Sequence, residues 1–263
     1  MRKFRIGEMT WSEFAEWLEK VNSIVLIPIG SLEQHGPHLP MDTDAYDAEY
    51  VCNEVAKRLL NDVWPLVAPT INYGVSMHHM DFPGTVTLSP KTLIDMLVDI
   101  CGSLIKHGVK RILIINGHGG NTPSIQVACQ IIKYRHPEVF IGTDLMGLAK
   151  SVKEKIFESK EHDIHAGESE TSTSLANREK LVKVKEIEKT SKKPFKPELL
   201  EIGRIPSGDR IDYYAINVKQ ISELGYMGYP WKADKKKGEK MLKAYIENLA
   251  IFIRKLCKSQ TQL

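Results

Sequence analysis

The chain has little that would carry it into or across a membrane. Its near-continuous apolar stretch, Ile24 to Ile29, falls far short of the roughly 20 residues a spanning helix needs, and Glu8 interrupts Met1 to Thr10 where a secretory signal would be apolar. It also lacks a cysteine framework: Cys52, Cys101, Cys129 and Cys257 are far apart and follow no C-x-x-C spacing, which excludes a zinc knuckle and a disulfide scaffold. We therefore expect a cytoplasmic protein with no membrane partner. Strong charge of one sign is missing too, since 36 basic residues stand against 33 acidic ones for a formal charge of +3, too small a bias for nucleic acid. Neither G-x-x-x-x-G-K-[ST] nor G-x-G-x-x-G occurs, so the usual nucleotide-binding loops are absent.

What is present is the alternation of an α/β protein. With 42% apolar residues, 263 residues can bury a substantial core, and we expect one domain over 1–263. Thr10 and Glu13 have capping-box spacing before a helix over 11–20. Ser23 to Ile29 reads as a strand buried on both faces. A helix near 43–60, a strand near 65–69 and a helix from Ser89 to His107 closed by Gly108 follow. Then come the strand Arg111 to Asn116, a helix starting near Pro123 and a strand at 139–143, with helices at 168–177 and 234–257. Strands separated by helices of this length imply βαβ crossovers and a three-layer α/β/α sandwich around a mostly parallel sheet. Residues 189–232 read as a long irregular excursion, and Lys232 to Lys240 as a solvated helix face.

In such a fold, chemistry gathers beyond the carboxyl ends of the strands, where three polar clusters fall. The first, Gly30 to Asp44, follows the first strand. Pro37 and Pro40 disfavour helix, so Glu33 and His35 project from one face of an extended segment, and a turn can return Asp44 to them. Imidazole with carboxylate suits zinc, manganese or iron, although Asp42 or Asp44 could merely cap the next helix. The second cluster, Asn116-Gly117-His118-Gly119-Gly120-Asn121, ends the clearest strand. Its glycines let the backbone approach a ligand and leave His118 uncrowded. The third, His165 to Ser172, offers one imidazole with Glu168 and Glu170 at a helix entrance, where Glu168 could also simply favour the helix dipole. A polar and aromatic loop, Asn72 to Thr85, forms a substrate wall in which at most one of His78 and His79 reaches the site.

Taken in order, G-S-L-E-Q-H-G-P-H-L-P with T-D after it, F-P-G-T, N-G-H-G-G-N and H-A-G-E-S-E-T-S resemble the creatininase family from about residue 10 to 178. The resemblance implies the three-layer sandwich, often assembled as hexamers, and a hydrolase whose metal-activated hydroxide attacks a carbonyl carbon. It implies that Glu33 and His118 hold one divalent ion, His35 holds a second, Asp44 bridges them, and His165 carries a proton to the leaving group. Two features depart from creatinine-hydrolysing members. Gly120 stands where they place a glutamate ligand, with Glu168 the first candidate to replace it and Glu170 the next, and residues 144–165 lack their pocket tryptophans. Members with this form of the second motif deformylate a ribosylaminopyrimidine, cleave a small peptide or open a cyclic diketone in inositol breakdown.

The expectation is thus a homo-oligomeric hydrolase using one or two Zn, Mn or Fe ions on a small polar, cyclic metabolite. Catalysis falls to His165 and Glu168, metal binding to Glu33, His35, Asp44, His118 and Glu168, and substrate binding to Asn72, Tyr73, Ser76 and His78. The alternative is a non-catalytic phosphate- or nucleotide-binding protein using the Gly117–Asn121 loop, against which the missing phosphate-loop lysine argues.

Overall fold

Strand β1, Ser23–Ile29, is apolar apart from its first residue, and six of its seven residues are buried, as befits a strand covered on both faces. A computed structural model, which describes residues 2–159, 161–204, 207 and 213–258, places it inside a sheet with β2 (Trp64–Val67), β3 (Arg111–Asn116) and β4 (Phe140–Asp144). All pairings are parallel and the order is β2-β1-β3-β4. The order reverses direction between β1 and β3, so the loops after these two strands face one crevice.

The helices are α1 (Trp11–Leu18), α2 (Thr43–Leu59), α3 (Pro90–Lys106), α4 (Thr122–Arg135), α5 (Lys150–Ile156), α6 (Glu168–Arg178), α7 (Val184–Thr190), α8 (Val218–Ile221) and α9 (Lys235–Lys258). Alternation along the strands sends their side chains to two cores. Ile24, Leu26, Leu113 and Ile115 pack against α2 and α9. Val25, Ile27, Ile112 and Ile114 pack against α1, α3 and α4, giving the expected three layers. Each such side chain, fully buried, contributes on the order of 2 kcal/mol from burial. No helix among the described residues is long and apolar enough to cross a membrane.

Local signals account for most boundaries. Thr10 and Glu13 form the capping box of α1, Ser89 caps α3, and Gly108, at φ 105°, ends α3 in the left-handed conformation. Asp42 occupies the N-cap position of α2 but makes no cap bond; its carboxylate accepts from Arg178 Nη1 at 2.7 Å. The described part of the excursion after residue 189 is largely irregular, relieved by α8 and by single 3₁₀ turns at Pro197–Leu199 and Pro230–Lys232. It packs as a third small core, with Phe195, Val218, Ile221 and Tyr226 against Leu39 and Ala166. Three short helices have no counterpart in the expected elements, α5, α7 and α8, because four to seven residues show no decisive period.

Three glycines mark places where backbones touch. A methyl group on Gly30 or Gly117, just past β1 and β3, would overlap the backbone of Ala45 or Asp44, so both must be glycine for α2 to begin on top of the strand ends. Gly238 makes the same allowance where α9 crosses α6 against the Ser172 carbonyl. Gly238→Ala should therefore reverse the usual gain of about 1 kcal/mol from replacing a helical glycine. Overpacking costs about 1–3 kcal/mol, so denaturant melts should show a net loss, and a more stable variant would refute this close crossing.

Candidate metal centre

The loop after β1 is extended and pinned, with Glu33 N donating to Met41 O at 2.9 Å and Val86 N to Leu32 O at 2.9 Å. It carries Glu33 and His35 into the crevice, α2 brings Asp44 in its first turn, and the loop after β3 brings His118. All four are buried. Asp44 sits between the two histidines, Oδ1 lying 3.0 Å from His35 Nε2 and Oδ2 3.0 Å from His118 Nδ1. Glu33 Oε2 is 3.3 Å from His118 Nε2, and Oε1 is 3.3 Å from His79 Nε2 and 3.5 Å from His165 Nδ1.

Proton bookkeeping at these contacts points to a cation. Carbonyl oxygens only accept, so His35 Nδ1 at 3.1 Å from Glu33 O and His118 Nε2 at 3.0 Å from Val75 O must each bear a hydrogen. The other ring nitrogen of each neutral imidazole then turns a lone pair toward Asp44, which also has only lone pairs to offer. Something positive must lie between them, either a second proton on each ring or a metal ion, for which such backbone-anchored imidazoles are the usual ligands. Both oxygens of Glu33 and Asp44 Oδ2 are buried and complete no hydrogen bond of good geometry.

Charge responds accordingly. Burial opposes a proton on His35, yet Asp44 beside it outweighs that and lifts its pKa to about 10. Burial likewise opposes charge on His118, but Glu33 and Asp44 raise it to about 9. Burial pushes Glu33 upward, whereas Asp44, despite its burial, is held below the ordinary carboxylate range by His35 and His118. Three trios place ligand atoms within 4.8 Å of one another: Glu33, His35 and Asp44; His35, His165 and Glu170; and Glu33, His79 and His165.

The third cluster corrects one expectation. Glu168 does not face the crevice: Oε1 accepts from Lys237 Nζ at 2.6 Å and Oε2 from Ser159 N at 2.7 Å, so it fastens α6 to α9 and to the segment before it. The pairing also removes Lys237 from the solvated face assigned to Lys232–Lys240. Glu170, the second candidate, turns inward, with Oε2 3.8 Å from His35 Nε2 and accepting from Ala166 N at 2.6 Å. Burial raises its pKa to about 7. Its neighbour His165 is aimed by Ala166, whose φ of 47° is a strained, left-handed conformation for a residue with a side chain. Hydrogen bonds of His165 to Met227, at 3.0 and 2.7 Å, hold that turn. His165 Nε2 donates to Gln34 O at 2.7 Å, leaving Nδ1 toward Glu33.

The Asn72–Thr85 loop is divided. Ser76 is buried at hydrogen-bond distance from the Ser31 hydroxyl and 3.4 Å from His118 Nε2, and the His78 ring stacks 5.8 Å from that of His118. Asn72 and Tyr73 are exposed. His79, passed over in favour of His78 as a substrate contact, is the buried member of the pair and touches Glu33; the 3₁₀ turn Met77–His79 swings it inward, where an extended loop would have left the choice open. Gln34 serves both inner histidines, its side-chain amide donating to His79 Nδ1 at 2.7 Å and its backbone carbonyl accepting from His165 Nε2. Gly120 admits no side chain, because a Cβ there would overlap His118 and the Val75 carbonyl.

The family model described as creatinine amidohydrolase matches residues 7–253. The mycofactocin precursor peptide peptidase of Mycolicibacterium smegmatis is 33% identical over 240 residues, covering 90% of this chain and 87% of that protein. The creatinine amidohydrolase of Pseudomonas putida is 25% identical over 283 residues, covering 95% of each. A solved manganese creatininase aligns with a TM-score of 0.78 at 25% identity, over 98% of this chain and 100% of its own.

With neighbouring carboxylates raising His35 to about 10 and His118 to about 9, loading with Zn²⁺ or Mn²⁺ should expel about two protons, and affinity should rise with pH until it passes about 10. Calorimetry of chelator-treated protein in buffers of different ionisation enthalpy measures this. Binding without proton release would contradict the assignment of lone pairs around Asp44.

Proposed function

This chain belongs to the creatininase family, whose proteins are metal-dependent hydrolases, and we propose that Glu33, His35, Asp44 and His118 hold its one or two divalent ions. The observation that carries this reading is the clustering of buried carboxylate oxygens of Glu33 and Asp44 against the ring nitrogens of His35 and His118, with both Glu33 oxygens and Asp44 Oδ2 left without a hydrogen bond of good geometry. When bound, such an ion polarises a carbonyl and makes water nucleophilic near neutral pH. With Gly120 closed to any side chain, Glu170 supplies the remaining carboxylate, and His79 is a further candidate ligand through Glu33.

His165 moves the proton. Burial and the nearby His35 depress its pKa, so the ring is neutral in use. Its Nε2 hydrogen is fixed on Gln34 O, which leaves Nδ1 as the atom that accepts a proton and hands it to the leaving group. Gln34 keeps both inner rings in register, through its side chain at His79 and its backbone carbonyl at His165, and the buried hydroxyls of Ser31 and Ser76 close the wall near His118.

The substrate in this reading is a small polar metabolite cleaved beside a carbonyl, at the C–N bond of a cyclic amide or formamide or at the C–C bond of a cyclic diketone. Creatinine is disfavoured, because residues 144–165 lack tryptophan and present Leu145, Met146 and Ile164 to the cavity. Ser76 and His78 lie where they can touch substrate; Asn72 and Tyr73 contribute at most at the rim. The proposal extends to a cytoplasmic assembly of like subunits acting through one hydrolase unit, for which exposed Trp11 and Tyr134 offer apolar surface.

Screening cyclic amides, formamides and cyclic diketones with added manganese or zinc tests the activity. Glu33→Gln and His118→Ala should each lose bound metal by elemental analysis; full retention by both would overturn the assignment. The two candidate carboxylates separate cleanly. Glu170→Gln should cut turnover by about 10²-fold or more while the fold survives. Glu168→Gln should keep its metal and instead lose about 1–3 kcal/mol of stability, from the weakened Lys237 contact. The opposite pattern would restore Glu168 to the site.

A further inference from the structure

A cavity of about 330 Å³ is lined by Asp44, Gly117 and Glu170 and by Lys150 and Lys153 of α5, and by no histidine. Its walls are mainly apolar, with Val51, Ile115, Met146 and Met241 among them. Most of the polar groups that line it are already occupied within the protein. Asp47 accepts from Thr173 Oγ1 at 3.0 Å and Asn177 Nδ2 at 2.7 Å. The Tyr245 hydroxyl donates to Asp144 at 2.7 Å, and Asn116 is used by the His118 amide and by Thr122.

Two cations are the exception. Lys150 and Lys153, one helical turn apart on α5, both line the cavity. Lys150 makes no ion pair among the described residues, and Lys153 reaches Asp163 only at 4.0 Å. That carboxylate is itself engaged by the amides of Glu168 at 2.7 Å and Ser169 at 3.1 Å. The cavity thus has one end with the carboxylates of Asp44 and Glu170, beside the proposed metal centre, and a second end where Lys150 makes no ion pair among the described residues and Lys153 has only the distant Asp163 carboxylate. A neutral substrate would leave that charge unused, while an anionic one would be oriented by it, with its carbonyl toward Asp44 and Glu170.

We propose that the substrate carries an oxyanion, a carboxylate or a phosphate, at the end remote from the scissile bond, and that Lys150 and Lys153 bind it. This rests on the metal-centre reading above.

The test uses full-length, manganese-loaded protein and calorimetric titration with butyrate, glutarate, pimelate and 4-phosphonobutyrate. At least one dianionic probe should bind about tenfold tighter than butyrate. The ranking of glutarate against 4-phosphonobutyrate tells a carboxylate end from a phosphate end. In the Lys150→Met, Lys153→Met double variant that preference should vanish, with butyrate affinity and bound metal unchanged. Equal binding of all four probes by the unsubstituted protein, or a preference that survives the double substitution, overturns the proposal and leaves the metal centre standing. Protein that holds no manganese and binds none of the probes would instead remove the metal-centre reading, and this inference with it.

Discussion

Asp44 is the point on which the site is hung. One carboxylate separates two buried imidazoles, each pinned by a backbone carbonyl so that its other ring nitrogen faces an Asp44 oxygen. The arrangement exists because α2 starts directly above the ends of β1 and β3, and it starts there because Gly30 and Gly117 leave room for its first turn. Arg178 secures the same turn from α6: Nη1 donates to Asp42, Nη2 to Thr43 at 2.8 Å, and its guanidinium stacks over Tyr46 at 4.4 Å. Sheet, glycines and arginine together place one carboxylate to within the tolerance that ligation demands.

Much of this was readable in the sequence because it is local. An apolar run followed by a Gly- and Pro-punctuated polar segment says strand, then ligand loop, and Ser23–Ile29 with Glu33 and His35 follows that rule closely. The same reasoning placed His118 at the end of β3. It failed where a choice depended on partners distant in sequence. Glu168 and Glu170 both lie in the first turn of α6, and only Lys237, 69 residues later, decides which is drawn away from the crevice. His78 and His79 pose the same problem within one loop, settled by a 3₁₀ turn that no composition signal announces.

The inner histidines are held by the excursion that looked least structured. Gly225, at φ 86°, lets the chain pass over the Gln34 side chain, whose amide donates to the Gly225 carbonyl at 2.8 Å while also meeting His79. Met227 then closes the His165 turn. Strain at Ala166, of order 1–3 kcal/mol, is thereby balanced by contacts from a segment with little regular structure of its own.

The bond between Lys237 and Glu168 also orders events in time. Glu33, His35, Asp44 and His118 all lie in the first half of the chain, on α2 and the loops that follow β1 and β3, whereas α6 packs on α9, the last helix described. A chain leaving the ribosome therefore owns the proposed metal ligands long before it can seat the wall that carries His165 and Glu170. Its final helix acts as the closing clasp, and a product shortened before residue 235 would leave His165 and Glu170 without the platform that aims them and α2 without one of the layers it packs on.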